Sequence, residues 1–178
     1  EALEIFRRLG ARQAERTMLN DRSFVQGALG QRPEAIASLR EAYDIGHELR
    51  ETSGQGTIIN NIAIAYHGMG ESEQAVRHYE EALAIHRSLG DRENERWTLN
   101  NMAEALKEMG ESEQAVRHYE EALAIHHGLG DRENELSTLN TMAEALEAMG
   151  RAEDASRCRD EAASLQEGGA SESPGAET

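Results

Sequence analysis

Apolar residues recur along the chain at the spacing of amphipathic helices. In the segment 92–109 they stand at positions i, i+3, i+4 and i+7, which places them on one helical face: Leu99, Met102, Ala103 and Leu106. Asp91 precedes this segment, where a carboxylate can cap a helix, and Gly110 follows it, where glycine commonly ends one. The pattern therefore predicts a helix between these two residues.

A second apolar stripe follows within the same unit, from about Ser112 to His127. Ser112, and Ser72 forty residues earlier, stand at positions typical of an N-cap, and Leu129-Gly130 closes the helix. The side predicted to be buried carries small and aromatic residues spaced by four and three: Ala115, Tyr119 and Ala122, with Leu123 beside them. The unit is thus predicted to be a pair of helices.

The two-helix unit repeats with a period of forty residues. Residues 71–110 and 111–150 differ at only seven of forty positions, and glycine and asparagine recur with the same period outside these copies. Repeated helix pairs that contact mainly their neighbours form a solenoid. The predicted fold is therefore all-α, a right-handed α-solenoid of antiparallel helix pairs.

These residues resemble a known family, the tetratricopeptide repeats (TPRs), in its 40-residue variety. Around the turn glycine Gly110, the small residues Ala103, Ala115 and Ala122 and the aromatic Tyr119 fall where TPRs place theirs. HEAT and armadillo repeats have a similar length but lack this spacing. Leucine or isoleucine stands where TPRs often have tryptophan, and the usual closing proline is absent. The chain also resembles the C-terminal TPR arrays of actinobacterial signalling-NTPase regulators of the AfsR type.

The two ends of the array differ. Residues 1–10 align with 81–90, so the chain begins inside a second helix and we expect further repeats upstream. About four helix-pair units follow, of which the first is degenerate because Arg22 and Gln26 stand where later units have Met102 and Leu106. A polar capping helix over about 152–166 completes the predicted array, residues 1–166. Residues 167–178 read as a disordered tail.

Composition excludes several functions. The 34 acidic residues outnumber the 18 basic ones, which gives a net charge of −16 and disfavours nucleic-acid binding by this segment. No apolar run is long enough for a membrane helix. The lone Cys158 fits a reducing cytoplasm and lacks a neighbour that would activate it as a nucleophile. No catalytic or phosphate-binding motif is present, so we expect neither an enzyme nor a cofactor.

The five histidines of the repeats at positions 78–127 do not form a metal motif. His78 and His86 are eight residues apart, about 80° around a helix, whereas helical metal pairs are usually four apart. We therefore expect no metal and interpret these histidines as solvated residues of the second helices.

Asparagine recurs once in each first helix, and the resemblance implies that these residues point into a concave groove. An amide offers both an acceptor and donors, so a ladder of amides can bind the backbone of an extended peptide. The alternative is that each amide bonds a neighbouring helix and stabilises the stack. The ladder comprises Asn20, Asn60, Asn100 and Asn140.

Residues near these asparagines would give the groove its selectivity. Phe24 and Ile64 make its N-terminal half apolar, whereas Glu104 and Glu144 make its C-terminal half acidic, so we expect a partner segment that carries Arg or Lys. Trp97 is the expected aromatic anchor. The predicted groove residues beside the ladder are Asn61, His67, Trp97, Asn101, Glu104, Lys107 and Glu144.

The resemblance and the groove together suggest a protein- or peptide-binding TPR module. Such a module would act as a scaffold or sensor domain of a larger, bacterial regulatory protein in the cytoplasm. The alternative function is intramolecular or self-association without a separate ligand, because an exposed solenoid end is apolar.

Overall fold

A computed structural model describes residues 2–52 and 54–170. In this part of the chain the backbone forms nine α-helices and no β-strand. The helices are α1 (Ala2–Leu9), α2 (Arg12–Ala28), α3 (Arg32–Glu48), α4 (Gln55–His67), α5 (Ser72–Leu89), α6 (Arg92–Glu108), α7 (Ser112–Leu129), α8 (Arg132–Ala148) and α9 (Ala152–Ala170).

Helices pack in the order in which the chain visits them. The pairs α2–α3, α4–α5, α6–α7 and α8–α9 form hairpins, and each second helix also packs on the first helix of the next pair. Helix α1 packs on α2 as the second helix of a preceding unit would. The predicted all-α solenoid is confirmed. The last helix extends to Ala170, four residues beyond the predicted end of the array, and positions 171–178 of the predicted tail lie outside the described residues.

Small residues allow the helices of one pair to approach closely. Ala103, Ala115 and Ala122 are fully buried, and the ring of Tyr119 is 1% exposed. The buried stripe predicted for the second helix is therefore confirmed. The fold gains its stability by burying this face, because isolated helices of this length are marginal in water.

Glycine ends the first helix of each pair. In the left-handed region of backbone conformation a side chain would clash, so glycine is preferred just beyond a helix end. The four glycines with period forty all adopt φ between 74° and 81°: Gly30, Gly70, Gly110 and Gly150.

The two kinds of helix are capped differently at their N-termini. Asp91 caps α6 as predicted, since its carboxylate accepts a hydrogen bond from the Asn94 backbone N–H at 3.1 Å. The prediction that Ser72 and Ser112 are N-caps is wrong. The N-cap of α7 is Glu111, whose carbonyl already accepts the first helical bond from Ala115, so Ser112 lies inside the helix.

Polar residues in α2 are matched by a polar residue on α3. Arg22 and Gln26 replace the apolar residues of later first helices, and both meet the buried hydroxyl of Ser38. Arg22 Nε donates to Ser38 Oγ at 3.0 Å, and this hydroxyl in turn donates to Gln26 Oε1 at 2.7 Å. The first helix pair thus departs from the repeat sequence, but the polar side chains between its two helices are hydrogen-bonded to each other.

Arg50 occupies a position at which the other repeats have glycine. Its φ is 55°, close to the 67° of Gly90 and the 69° of Gly130. We expect Arg50→Gly to stabilise the protein by about 0.5–1 kcal/mol, because relief of the left-handed strain exceeds the added entropy of the unfolded chain. Urea unfolding measures the change. The reciprocal variant, Gly90→Arg, should destabilise; equal stability of all three proteins would contradict the expectation.

Candidate functional site

The first helices, α2, α4, α6 and α8, present an exposed surface that we call the first-helix face. Two cavities open between neighbouring first helices. The N-terminal cavity, about 440 Å³, lies between α2 and α4, and the C-terminal cavity, about 200 Å³, lies between α6 and α8. Residues from α3 and α7 close them from below, so second helices shape both cavities.

The ladder asparagines do not make equivalent contacts. Asn20 accepts a hydrogen bond from Asn61 at 3.2 Å, which joins α2 to α4. Asn140 donates to the carbonyl of Leu136 in its own helix at 3.0 Å. The oxygen of Asn60 is buried without a hydrogen-bond partner in the described part of the chain. Four equally free amides are therefore not present.

Asn100 is engaged by two other helices. Its amide lies 3.0 Å from Nε2 of His126 on α7, and 3.3 Å from the hydroxyl of Thr138 on α8. These contacts agree with the alternative interpretation of Asn100, in which its amide bonds neighbouring helices and stabilises the stack. Asn101, the next residue, lines the C-terminal cavity and makes no side-chain hydrogen bond within the described residues.

The contacts of His126 fix its protonation state. Arg96 Nη1 lies 3.2 Å from Nδ1 of this ring, and because a guanidinium can only donate, Nδ1 must accept. The ring proton is then on Nε2 and faces the amide of Asn100. A half-turn of that amide would place its oxygen on this proton and its nitrogen on the hydroxyl of Thr138.

Trp97 is the main aromatic residue of the first-helix face. It remains 40% exposed, yet two buried side chains hold its ring. The Arg96 guanidinium lies 4.7 Å from the ring centroid, and the His126 ring meets it edge-on at 6.5 Å. Arg96 is in turn paired with Asp131 and Glu93. The indole is therefore both accessible and positioned in advance.

Acidic and basic side chains lie close together near the C-terminal end of α6. Lys107 Nζ lies 3.2 Å from a carboxylate oxygen of Glu104 and 3.3 Å from one of Glu144, which links α6 to α8. The Tyr119 hydroxyl donates to Glu104 at 3.2 Å. Towards α4, His67 Nε2 lies 2.8 Å from Glu108. The predicted residues of α6 and α8 thus lie close together, but part of their acidity is offset by Lys107.

The N-terminal cavity lies under the two apolar residues of the groove. Phe24 is 81% exposed and Ile64 is 45% exposed, and both line it. The predicted residues Asn61 and His67 also line it, whereas Trp97 and Glu104 line the other cavity. The two apolar residues therefore line one cavity, and Glu104 lines the other.

Comparison with known proteins identifies the repeat. Residues 54–128, which span α4 to α7, match the sequence profile of the tetratricopeptide repeat. Residues 54–128 are TPRs. No curated protein sequence matches it.

Solved structures with the same fold are distant in sequence. BtubC (BKLC) from P. vanneervenii has a TM-score of 0.83 and 20% identity, over 94% of this chain and 69% of that one. A signal transduction ATPase with numerous domains (STAND) and a TPR sensor, from Pyrococcus horikoshii, gives 0.77 and 19%, over 86% and 24%. A Rap protein complexed with Competence and Sporulation Factor gives 0.71 and 15%, over 86% and 43%. At these identities the likeness shows the fold alone.

Two histidines of the TPR second helices are buried, and the interpretation of these residues as solvated is wrong for them. His86 is 2% and His126 is 0% exposed, whereas His127 is exposed. The apolar stripe of α5 contains Ala75, Tyr79 and Ala82, and the next position of this stripe is His86. The spacing of four and three residues therefore already indicates that these histidines face the neighbouring helix.

His86 lies in a different environment from His126 because Gly56 stands where the next repeat has Arg96. A Cβ on Gly56 would lie 2.6 Å from the His86 ring, so the ring occupies that space. Neither ring nitrogen has a hydrogen bond to residues 2–52 or 54–170, and Nδ1 lies 3.5 Å from Asp91. His86 and His126 occupy equivalent positions of nearly identical second helices, yet they lie in different polar environments.

The buried histidines predict a loss of stability in acid. Burial lowers the pKa of His126, and the charge of Arg96 lowers it further despite the nearby carboxylates of Asp131 and Glu135; burial also lowers the pKa of His86. Below about pH 6.5 the unfolded chain binds protons that the folded chain excludes. Stability should then fall with decreasing pH, by up to about 1.4 kcal/mol per pH unit for each histidine.

Urea unfolding between neutral and mildly acidic pH measures this effect. The variant His126→Gln should show a smaller pH dependence, whereas the matched exposed variant His127→Gln should keep that of the parent protein. Equal slopes for His126→Gln and the parent would contradict the expectation.

Other candidate chemistry receives no geometric support in the described residues. In that part of the chain no three His, Cys, Asp or Glu residues form a group that could hold a metal ion. Burial raises the pKa of the Cys158 thiol, which disfavours the reactive thiolate. None of the helices described is long and apolar enough to cross a membrane.

Proposed function

We propose that the first-helix face binds an extended segment of a protein partner, and that the TPRs serve as a scaffold or sensor domain of a larger bacterial regulatory protein in the cytoplasm. Trp97 is the observation that carries this proposal. Exposure of the apolar indole ring to water is unfavourable. The ring is nevertheless held at the surface by Arg96 and His126 instead of being buried in the core. Aromatic side chains held rigidly at a surface are typical binding hot spots.

The polar groups around Trp97 favour a backbone ligand with basic side chains. Asn101 offers its amide beside the indole, whereas we assign Asn100 to the stability of the stack. The carboxylates of Glu104, Glu108 and Glu144 have exposures between 42% and 66%, and Lys107 and Arg159 offset only part of this charge. A partner that carries Arg or Lys would complete this charge balance.

The fold neighbours support the same class of function. One contains a TPR sensor in a STAND protein, and another is complexed with Competence and Sporulation Factor. For this chain the sensor role and the regulatory context are proposals. The proposal assigns no catalytic step to the repeats.

The proposal is tested by selecting binders from a random peptide library. Because Trp97 is the single tryptophan, its fluorescence reports binding directly. Selected peptides should be rich in Arg or Lys and should change this fluorescence. Trp97→Ala, measured by calorimetry, should weaken binding by about 30-fold or more, the loss expected at a hot spot.

Arg77→Ala provides the matched control, since Arg77 is exposed on α5 away from the first-helix face. This variant should bind as the parent does. Peptides that bind Trp97→Ala and the parent equally well would overturn the proposal, and so would a selection that yields no saturable binder.

A second candidate function is self-association through the α1–α2 end. Ile5 and Val25 are 49% and 57% exposed, whereas the equivalent residues one repeat later, Ile45 and Ala65, are buried. Analytical ultracentrifugation tests this function. A dimer that dissociates in Val25→Lys, but not in Leu129→Lys at another exposed apolar residue, would support it; a monomer at all concentrations would contradict it.

A further inference from the structure

The N-terminal cavity is an apolar pocket with one cationic side chain. Its walls include Phe24 and Ile64, and its floor includes Leu39 on α3. Its volume of about 440 Å³ lies in the range that small-molecule sites occupy. Among its lining residues there is one arginine, Arg32, and no carboxylate, although the chain has a net charge of −16.

Comparison between repeats explains why the cavity exists. Leu39 stands where later repeats have Tyr79 and Tyr119. The Tyr119 hydroxyl reaches Glu104, whose equivalent in the first repeat is Phe24. A tyrosine at position 39 would therefore point towards a wall of the cavity. The smaller leucine leaves that space open.

Comparison with the equivalent positions of the next repeat also explains why the mouth of the cavity is open. In the next repeat, the side chains of His67 and Glu108 meet at the equivalent positions, with His67 Nε2 2.8 Å from a carboxylate oxygen of Glu108. Their counterparts at the N-terminal cavity are Gly27 and Gly68, which have no side chains to cover it. A Cβ on Gly27 would meet no atom within 4 Å.

Arg32 supplies a charge at the edge of this opening. It stands where other repeats have serine, Ser72 or Ser112, and it begins α3. Its side chain lies against Gly68, where a Cβ would be 2.3 Å from Nε. Within the described residues this half-buried guanidinium has no carboxylate partner, whereas Arg50 and Arg77, which also lack one, are exposed.

We propose that the N-terminal cavity binds a small amphiphilic carboxylate, with its apolar body between Phe24 and Ile64 and its anion on Arg32. The apolar walls supply the hydrophobic free energy, and a guanidinium without a carboxylate partner recognises a carboxylate by charge-assisted hydrogen bonds. The start of α3 at Arg32 adds the favourable end of a helix dipole. This site is independent of peptide binding at Trp97.

Titration calorimetry with phenylbutyrate tests the proposal on the full chain. Phenylbutyrate should bind saturably. Phenylbutanol, which keeps the apolar body without the charge, and Arg32→Gln, which removes the cation, should each weaken binding by about 10-fold or more. Phenylbutylamine should not bind detectably.

Two variants fill the cavity with residues that the protein already uses in other repeats. Leu39→Tyr introduces the residue found at the equivalent positions Tyr79 and Tyr119. Gly27→His introduces the residue found at the equivalent position His67. Each should abolish binding while far-UV circular dichroism and melting show a folded chain. If Leu39→Tyr does not fold, Gly27→His gives the same test.

Other results would overturn the proposal. These are the absence of saturable binding to the parent protein, equal binding of phenylbutyrate and phenylbutanol, and unchanged binding in a folded cavity-filling variant. Binding of peptides but of no small acid would also overturn it, and would assign the cavity to the partner of the first-helix face. None of these results depends on Trp97, so failure here is distinguishable from failure of the proposed function.

Discussion

Tyr119→Ala is expected to lower the free energy of unfolding by about 3–5 kcal/mol. The ring is 1% exposed and belongs to the same buried core as Ala103 and Ala115. Removal of so large a side chain would leave a cavity that the packed helices can close only in part. The loss therefore includes both the transfer free energy of the ring and the cost of the cavity.

Tyr119→Phe separates the packing of the ring from its hydrogen bond. This variant loses only the bond to Glu104, and that carboxylate is half-exposed and regains water. We expect a loss of about 1 kcal/mol or less. Urea unfolding followed by circular dichroism measures both variants. A loss in Tyr119→Phe as large as that in Tyr119→Ala would show that the ring itself contributes little.

Glu95→Ala is expected to cost about 2–4 kcal/mol. Glu95 is 3% exposed and accepts from Arg87 Nε at 2.9 Å and from Arg92 Nη1 at 2.7 Å. The carboxylate joins the end of α5 to the first turn of α6, and Arg87 also contacts Glu121 on α7. The two arginines are about half-exposed and remain hydrated, so we expect less than the full loss of a buried pair.

Glu133→Ala is the matched control, because Glu133 also lies in a first helical turn but is exposed. We expect a change within about 0.5 kcal/mol for this variant. Glu95→Gln, which keeps the shape and removes the charge, should be destabilised like Glu95→Ala. Thermal and urea unfolding give the comparison. A change in Glu95→Ala no larger than that in Glu133→Ala would contradict the expected role of the buried carboxylate.

The local pattern was sufficient to predict the helices, although the N-caps of α5 and α7 and the end of α9 differ from the prediction. The apolar spacing around Leu99 and Tyr119, the carboxylate of Asp91 and the turn glycine Gly110 each act within one helix or one turn. These interactions depend on neighbours in the sequence. The periodicity then extended the prediction to the whole solenoid.

The roles of the ladder asparagines and buried histidines could not be predicted in the same way. Asn100 meets His126 and Thr138, which are 26 and 38 residues away and lie on two other helices. The environment of His86 is set by Gly56 on α4, thirty residues earlier in the sequence, rather than by the residues of its own helix. The prediction of such contacts requires knowledge of the relative positions of several helices.

The positions of charged groups in the groove were predicted, but their pairing was not. Glu104 lines the same cavity as Trp97, and Glu144 lies on the neighbouring first helix. The position of Lys107 between them depends on the separation of α6 and α8, which the sequence does not specify. The N-terminal cavity likewise follows from a leucine at one position and glycines at two others, which together leave space only after the helices have packed.

The unbroken forty-residue period has a consequence for how such a chain changes over generations. Each junction between repeats uses equivalent helix ends, and adjacent copies at 71–110 and 111–150 are nearly identical. Recombination between the copies would add or remove one whole unit and leave every remaining junction matched. The length of the binding surface can therefore change in a single genetic event, without the frustrated intermediates that a compact domain of this size would pass through.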